Sequence, residues 1–235
     1  MSLFKKRPLE LKAYCSDIAV VDFYPIAPAQ KHIPKWWKNL KTPSWEEAIP
    51  DGVDSVTSMK SCPGFVGLYK QGFIVPAPCD LGIMIRNDEI YIQAASDIPA
   101  AFHSKTQHRG WLDSGYQNAK VYLPWHLVCN DPSVEFLLTA PQYLDEEYYD
   151  DFFIPSGVTN FRYSRSIHWH LMLRLGKDKE ILIPAGRPLW HIIPLTNKKI
   201  NLSVHHETEE NIKKLAPAYQ NAGKFFYGGF SKPRR

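Results

Sequence analysis

The sequence has 235 residues, a formal net charge of +4 at neutral pH, 44% hydrophobic residues and 22% charged residues. A chain of this size and composition can bury its own core without a metal or a disulfide, and its charge is too mild to indicate a dedicated nucleic-acid-binding domain. No stretch approaches the length of apolar sequence that crosses a bilayer, so we expect no membrane span.

The cysteines and the first residues indicate a reducing compartment. Cys15, Cys62, Cys79 and Cys129 show no C-x-x-C spacing, and the charged start at residues 5–7 lacks the apolar core of a signal peptide. We therefore expect free thiols and a cytoplasmic protein. Basic residues at both ends are interpreted as solvated tails, with docking on nucleic acid or an acidic partner as the alternative.

The first 72 residues predict one strand and two short helices. The apolar run around Ile18–Tyr24 predicts a strand. Apolar residues spaced along Ile33–Leu40 predict a helix that lays Trp36 and Trp37 on the core, and Cys62–Gly72 predicts one or two helical turns. The segment 42–58 is interpreted as a surface loop. Further strands are predicted at 73–75, 82–86, 90–94, 121–128, 134–139 and 188–195, with a last helix at 207–216.

The segment Asn160–Leu175 alternates apolar and polar residues with a period of two. This pattern predicts a long strand with Ile167, Trp169, Leu171 and Leu173 buried on one face. Many strands with few helices indicate an all-β or β-dominated α+β protein. We predict one domain over residues 1–235, an antiparallel β-sandwich of jelly-roll type with a few short peripheral helices, in which 224–235 forms an extended aromatic and basic arm.

Three histidines form the candidate metal site. His168-x-His170 followed by Pro184-x-Gly186 and then His191 resembles the signature of cupin barrels, in which histidines on adjacent strands hold iron, manganese or zinc. The spacing departs from that signature because His191 follows the turn late.

The strand register argues against this metal site. The alternation puts His168 and His170 opposite the apolar stripe, beside Arg162 and Arg174, whose charges would repel a dication. We therefore expect no metal, no cofactor and no catalytic residue, and we interpret the histidines as solvent-facing or interface residues.

An acidic run and an aromatic tail are the candidate contact surfaces. Residues 145–151 carry five carboxylates without the spacing of an EF-hand, which favours a solvated loop or an interaction surface. The tail contains Phe225, Phe226, Tyr227 and Phe230, a composition typical of interface centres.

Four segments resemble a family of uncharacterised proteins encoded by tailed phages of marine bacteria, especially large myophages of cyanobacteria. In chain order they are Phe23–Ile26 with Ile33–Trp37, Met59–Phe65, Tyr69–Pro76, and Ile183–Leu189 leading to Ile192–Leu195. In similar proteins we expect glutamine in place of His191. The resemblance implies a phage product made in the bacterial cytoplasm, and it supplies no catalytic residues.

Two classes of function follow. The favoured one is a non-enzymatic virion-associated or assembly protein that contacts other virion proteins or copies of itself. The alternative is a small auxiliary enzyme of the metal-dependent, cupin-like kind, or a ligand-binding protein acting in the infected cell. Neither function involves a membrane. The sequence allows nucleic acid as a partner but does not indicate it.

Overall fold

The computed structural model describes residues 9–41, 59–104, 115–144 and 151–215. Within these ranges the α-helices are α1 (Ile18–Phe23), α2 (Lys35–Asn39), α3 (Pro63–Tyr69) and α4 (Glu209–Leu215). The strands are β1 (Leu9–Cys15), β2 (Ala27–Pro28), β3 (Phe73–Pro76), β4 (Leu81–Arg86), β5 (Glu89–Ala94), β6 (Ala100–Phe102), β7 (Tyr116–Cys129), β8 (Phe136–Thr139), β9 (Phe152–Phe153), β10 (Gly157–Thr159), β11 (Ser166–Arg174), β12 (Lys179–Ile183), β13 (Pro188–Pro194) and β14 (Ile200–His206).

The strands form three sheets around one hydrophobic core. The large sheet has the order β14-β1-β7-β11-β9, with β6 also on β7; the second sheet has the order β10-β8-β13-β3-β2, and the small sheet β12-β4-β5. Of the described pairs, only β1 with β14 is parallel. Buried side chains from all three sheets pack together, as Trp169, Ile192 and Ile83 illustrate. The predicted β-dominated, sandwich-like fold with short helices is confirmed, while its finer assignment as a jelly roll stays a prediction.

The register predicted for β11 is confirmed. Ile167, Trp169, Leu171 and Leu173 are all buried, and Arg174 is exposed. The strand is shorter than predicted, because the chain turns at residues 161–163 and only then enters the sheet. Met172 is also buried although it lies on the polar side of the alternation.

The strand predicted around Ile18–Tyr24 is wrong. These residues form α1, and the carboxylate of Asp17 caps the helix by accepting hydrogen bonds from the amides of Ala19 at 2.9 Å and Val20 at 3.3 Å. A short apolar run suits either a strand or a helix, and here the cap determines which one forms. The first strand of the described residues is β1, which pairs with β14 and β7.

A helical layer covers the outer face of the second sheet. Phe65 and Tyr69 of α3 are buried there against Ile74 of β3, and Trp36 and Trp37 pack on them. The two tryptophans therefore pack on buried side chains as predicted, but they are half-buried and belong to this layer rather than to the main core. As a result β3 and β13 are covered on both faces, by the main core and by this layer, so every residue of β3 is buried.

Candidate functional site

The structure does not bring the three candidate histidines together. His168 and His170 lie on β11 in the large sheet, whereas His191 lies on β13 in the second sheet. Among the residues that the structure describes, no group of three or more His, Cys, Asp or Glu side chains is placed to hold a metal ion. The expected absence of a metal stays a prediction.

His191 is a core residue, so the expectation that it faces solvent or an interface is wrong. Its exposed fraction is 0%, its Nε2 lies 2.8 Å from the backbone carbonyl oxygen of Gln71, and its ring centroid is 6.1 Å from that of Tyr69. Burial lowers the pKa of His191, which keeps the imidazole neutral so that Nε2–H can donate to Gln71.

His168 and His170 lie on the polar face of the large sheet, the side of β7 and β11 that carries Lys120, Tyr122 and His126 as well. In register, His168 is opposite Tyr122 and His170 is opposite Lys120. The rings of Tyr122 and His168 meet edge to face with centroids 4.8 Å apart. Both histidines are half-buried rather than solvent-facing.

Burial makes these two imidazoles poor bases. It lowers the pKa of His168 and of His170 to about 4, and the ammonium group of Lys120 adds to the shift in each. The cation beside them is therefore Lys120 rather than Arg162, which lies outside β11 in an exposed turn. At neutral pH His168 and His170 are therefore uncharged, and their contacts on this face include aromatic ones, His168 with Tyr122 and His170 with His103 at a centroid distance of 5.5 Å.

The outer face of the small sheet carries large apolar side chains in water. Leu182 of β12 is 60% exposed, Tyr91 of β5 is 50% exposed and Met84 of β4 is 37% exposed. Met84 is directly opposite Tyr91, and Leu182, opposite Gly82, is diagonal to Met84. Phe102 of β6 is 48% exposed, and a cavity of about 330 Å³ lies between it and Tyr91. We call Met84, Tyr91, Phe102 and Leu182 the apolar patch.

Charged groups border the apolar patch at the turns that lead into β5 and β12. The guanidinium of Arg86 lies 2.5 Å from the carboxylate of Glu180 and 3.5 Å from that of Asp178. Glu89 is opposite Arg86 in register and accepts a hydrogen bond of 2.6 Å from the hydroxyl of Tyr91. With Asp88, this border holds four carboxylates against Arg86 and Lys177, so it is acidic.

The sequence analysis does not identify the patch, because each of its residues is a single apolar side chain on a different strand. The alternation in β4 marks Leu81, Ile83 and Ile85 as core, and these three are buried. Met84 then falls on the side expected to be polar, and Tyr91 and Leu182 do the same on their strands. The signal was present as three large apolar residues at solvent-side positions of neighbouring strands.

The two contact surfaces predicted from the sequence fall largely outside the described residues. Of the acidic run 145–151, only Asp151 is described, and its carboxylate forms an ion pair with Lys179. The arm 224–235 and both basic ends also lie outside the described residues. Those interpretations stay predictions.

None of the helices that the structure describes is long and apolar enough to cross a membrane.

The chain was compared with known protein families, curated proteins and solved structures. No protein-family model, no curated protein and no solved structure matches this chain.

Proposed function

We propose that this chain is a non-enzymatic phage protein that acts by binding another protein, and that the apolar patch is the centre of its binding surface. The phage context rests on the resemblance of its four ordered segments to proteins of tailed phages of marine bacteria. The protein contact rests on the exposure of Leu182, Tyr91 and Met84 on the three strands of the small sheet, and of Phe102 on β6 of the large sheet, across the cavity from Tyr91.

The composition of the patch supports a protein contact. Aromatic residues and methionine are enriched at interface centres, and contiguous exposed apolar side chains on a folded domain are typical of interaction sites. Removing such a side chain from water contributes about 1.5–3 kcal/mol when its burial is complete. Four of them supply the kind of anchor cluster on which interface affinity depends.

The acidic border indicates the chemistry of the partner. Asp88, Glu89, Asp178 and Glu180 outnumber the cations beside them, so a complementary surface would present apolar groups framed by lysine or arginine. Arg86 pairs with both Asp178 and Glu180, so one guanidinium faces two of the four border carboxylates. The favoured occupant is another virion protein with such a surface; a second copy of this chain is the competing outcome.

The alternative metal-dependent enzyme has no support in the site geometry, since a cupin-like centre would need His191 beside His168 and His170. His191 is instead buried against Gln71 and Tyr69, and no described group of three His, Cys, Asp or Glu side chains is placed to hold a metal.

Photo-crosslinking inside assembled particles tests the proposal. A photoreactive amino acid replaces Gln93, which is exposed on the same outer face of β5 as Tyr91, and a matched probe replaces Val158 of β10, which is exposed in another sheet. We expect the probe at 93, and not the probe at 158, to form a discrete crosslink to a virion protein that mass spectrometry identifies. Crosslinks only between copies of this chain would replace the partner by self-association. Absence of the protein from purified particles would overturn the virion role.

A further inference from the structure

A second cavity, separate from the apolar patch, lies between the large sheet and the second sheet. It has a volume of about 290 Å³ and is lined by β11 of the large sheet, by β10 of the second sheet and by the loop between these two strands. Leu138 of β8 and Trp190 of β13 also contribute to its wall. Pockets for small molecules are typically concave and about 300–1,000 Å³ in volume, so this cavity has room for one compact ligand.

Four polar side chains in the wall have no hydrogen-bond partner among the described residues. They are Thr159 on β10, Ser164 in the loop, and Ser166 and His170 on β11. All four are half-buried, so they are neither fully solvated nor enclosed in the core. A hydroxyl group and a neutral imidazole can each donate and accept hydrogen bonds. The wall therefore offers both donors and acceptors to a polar molecule.

None of the described residues in the wall carries a charge at neutral pH. The only titratable side chains among them are His168 and His170, and burial, helped by Lys120 and other neighbours, lowers the pKa of each to about 4. Lys120 itself is not in the wall, and its ammonium group lies 4.5 Å from the centroid of the Tyr122 ring. An ionic ligand would leave water without meeting a counter-charge in this wall, and that desolvation costs free energy. The wall therefore suits an uncharged ligand.

The aromatic rings in the wall lie too deep to stack on a flat ligand. Phe161 is 1% exposed and Trp190 is 2% exposed, and the Nε1 of Trp190 donates to the carbonyl of His168 at 2.9 Å. The more accessible apolar side chains are aliphatic: Leu138 is half-buried and Val158 is 57% exposed. Such side chains pack against the C–H groups of a saturated molecule. This favours an aliphatic ligand over a planar aromatic one.

From this combination we infer that the cavity binds a small uncharged molecule with several hydroxyl groups, a single sugar ring in the simplest case. Its hydroxyl groups exchange hydrogen bonds with the four unpartnered side chains, and its C–H groups contact Leu138 and Val158. A molecule with the same ring and one hydroxyl group loses most of these hydrogen bonds. A charged sugar keeps them but loses hydration without gaining a counter-charge.

Probes that share a six-membered ring and differ in charge and hydroxyl content test this inference on the full-length protein, by titrations followed with nuclear magnetic resonance. Methyl glucoside, methyl galactoside and methyl mannoside are neutral, glucuronate is an anion, glucosamine is a cation, and cyclohexanol has one hydroxyl group. We expect at least one neutral glycoside to bind saturably, and at least about tenfold more tightly than the anion, the cation or cyclohexanol. Equal binding of neutral and charged sugars, or no saturable binding of any neutral glycoside, would overturn the inference.

Variants of the wall locate the binding site. His170→Phe removes both ring nitrogens and should weaken binding of the glycoside about tenfold, whereas His170→Gln keeps a donor and an acceptor and should stay within about threefold of the native chain. Ser16→Ala, at a half-buried serine outside the cavity, is the control and should change nothing.

A steric variant separates the cavity from binding elsewhere on the surface. Ser164 lines the cavity from the loop and does not belong to the main core, so Ser164→Trp should fill the space and abolish binding in a protein whose unfolding transition is retained. Glycoside binding that survives Ser164→Trp, or that is weakened equally by His170→Phe and Ser16→Ala, would contradict a site in this cavity.

Discussion

The Nε2 atom of His191 lies 2.8 Å from the carbonyl oxygen of Gln71, and this contact joins β13 to the end of the α3 region. The imidazole lies between the main core and the helical layer, next to Tyr69. It is the one polar residue that is fully buried among the described residues. His191 is therefore a structural donor that holds the segment before β3 onto the sheet.

Replacing this donor tests its structural role. His191→Ala should lower the free energy of unfolding by about 2–4 kcal/mol, because it opens a cavity and removes the donor to Gln71. His191→Gln can still donate an N–H and should cost less than half as much. Urea denaturation of both variants measures the difference. Equal losses would show that packing alone, and not the hydrogen bond, fixes this position.

Gly72, which follows Gln71, should not tolerate a larger residue without a loss of stability. A Cβ on Gly72 would lie 2.2 Å from the carbonyl oxygen of Ile192, and its φ of +74° also favours glycine. We expect Gly72→Ala to cost about 3 kcal/mol or more, since backbone atoms would have to move. Gly176→Ala is the matched control, because Gly176 has φ +91° but open space around it, and it should cost only about 1 kcal/mol. Thermal melts that rank the two variants alike would contradict this account.

The polar face of the large sheet predicts acid sensitivity. The folded pKa of His168 and of His170 is about 4, below the ordinary value of 6.5, mainly because of burial and then because of neighbours that include Lys120 and His103. The unfolded chain thus binds more protons between these values, so stability is complete above pH 6.5 and is lost as the pH falls towards 4. Allowing for partial exposure, each histidine should contribute about 1–2 kcal/mol to that loss.

The measurement for this prediction is the unfolding free energy at several pH values between 7 and 4. The double variant His168→Gln/His170→Gln should show a shallower loss than the native sequence. A double variant with the native slope would show that these imidazoles do not control acid stability.

A buried leucine and an exposed leucine should differ in how much their truncation to alanine destabilises the protein. Leu171→Ala, in the main core, should cost about 2–5 kcal/mol. Leu182→Ala, at 60% exposure, should change stability by less than about 0.5 kcal/mol. Denaturant titrations compare the two. A large loss at Leu182 would mean that this side chain supports the fold, and the apolar patch would lose its interpretation as a binding surface.

Features of the fold that depend on local periodicity can be predicted from the sequence. The core face of β11 follows from a period of two, and the packing of Trp36 and Trp37 follows from helical spacing. Features set by distant partners could not be predicted. The parallel pairing of β1 with β14 joins opposite parts of the described chain, and the burial of His191 depends on a helical layer that covers a strand already facing the core.

The site was less predictable than the fold. The grouping of His168, His170 and His191 rested on spacing along the chain, whereas sheet order determines which strands are neighbours, and it separates these residues. The apolar patch depends on register between β12, β4 and β5, which aligns Leu182, Met84 and Tyr91 only once the sheet has formed. Asp17 is a local signal that favours a helix over the strand predicted at residues 18–24, because an aspartate before an apolar run suits a helix cap.

The most direct test of the account is how much of this protein enters assembled phage particles when the apolar patch is altered. Quantitative mass spectrometry of purified particles should find the native chain and the control variant Val158→Lys at equal copy number. Leu182→Lys and Tyr91→Lys should be reduced at least about tenfold while remaining folded, because each puts a cation where apolar burial and a basic partner are expected. Native incorporation of both patch variants would contradict the account.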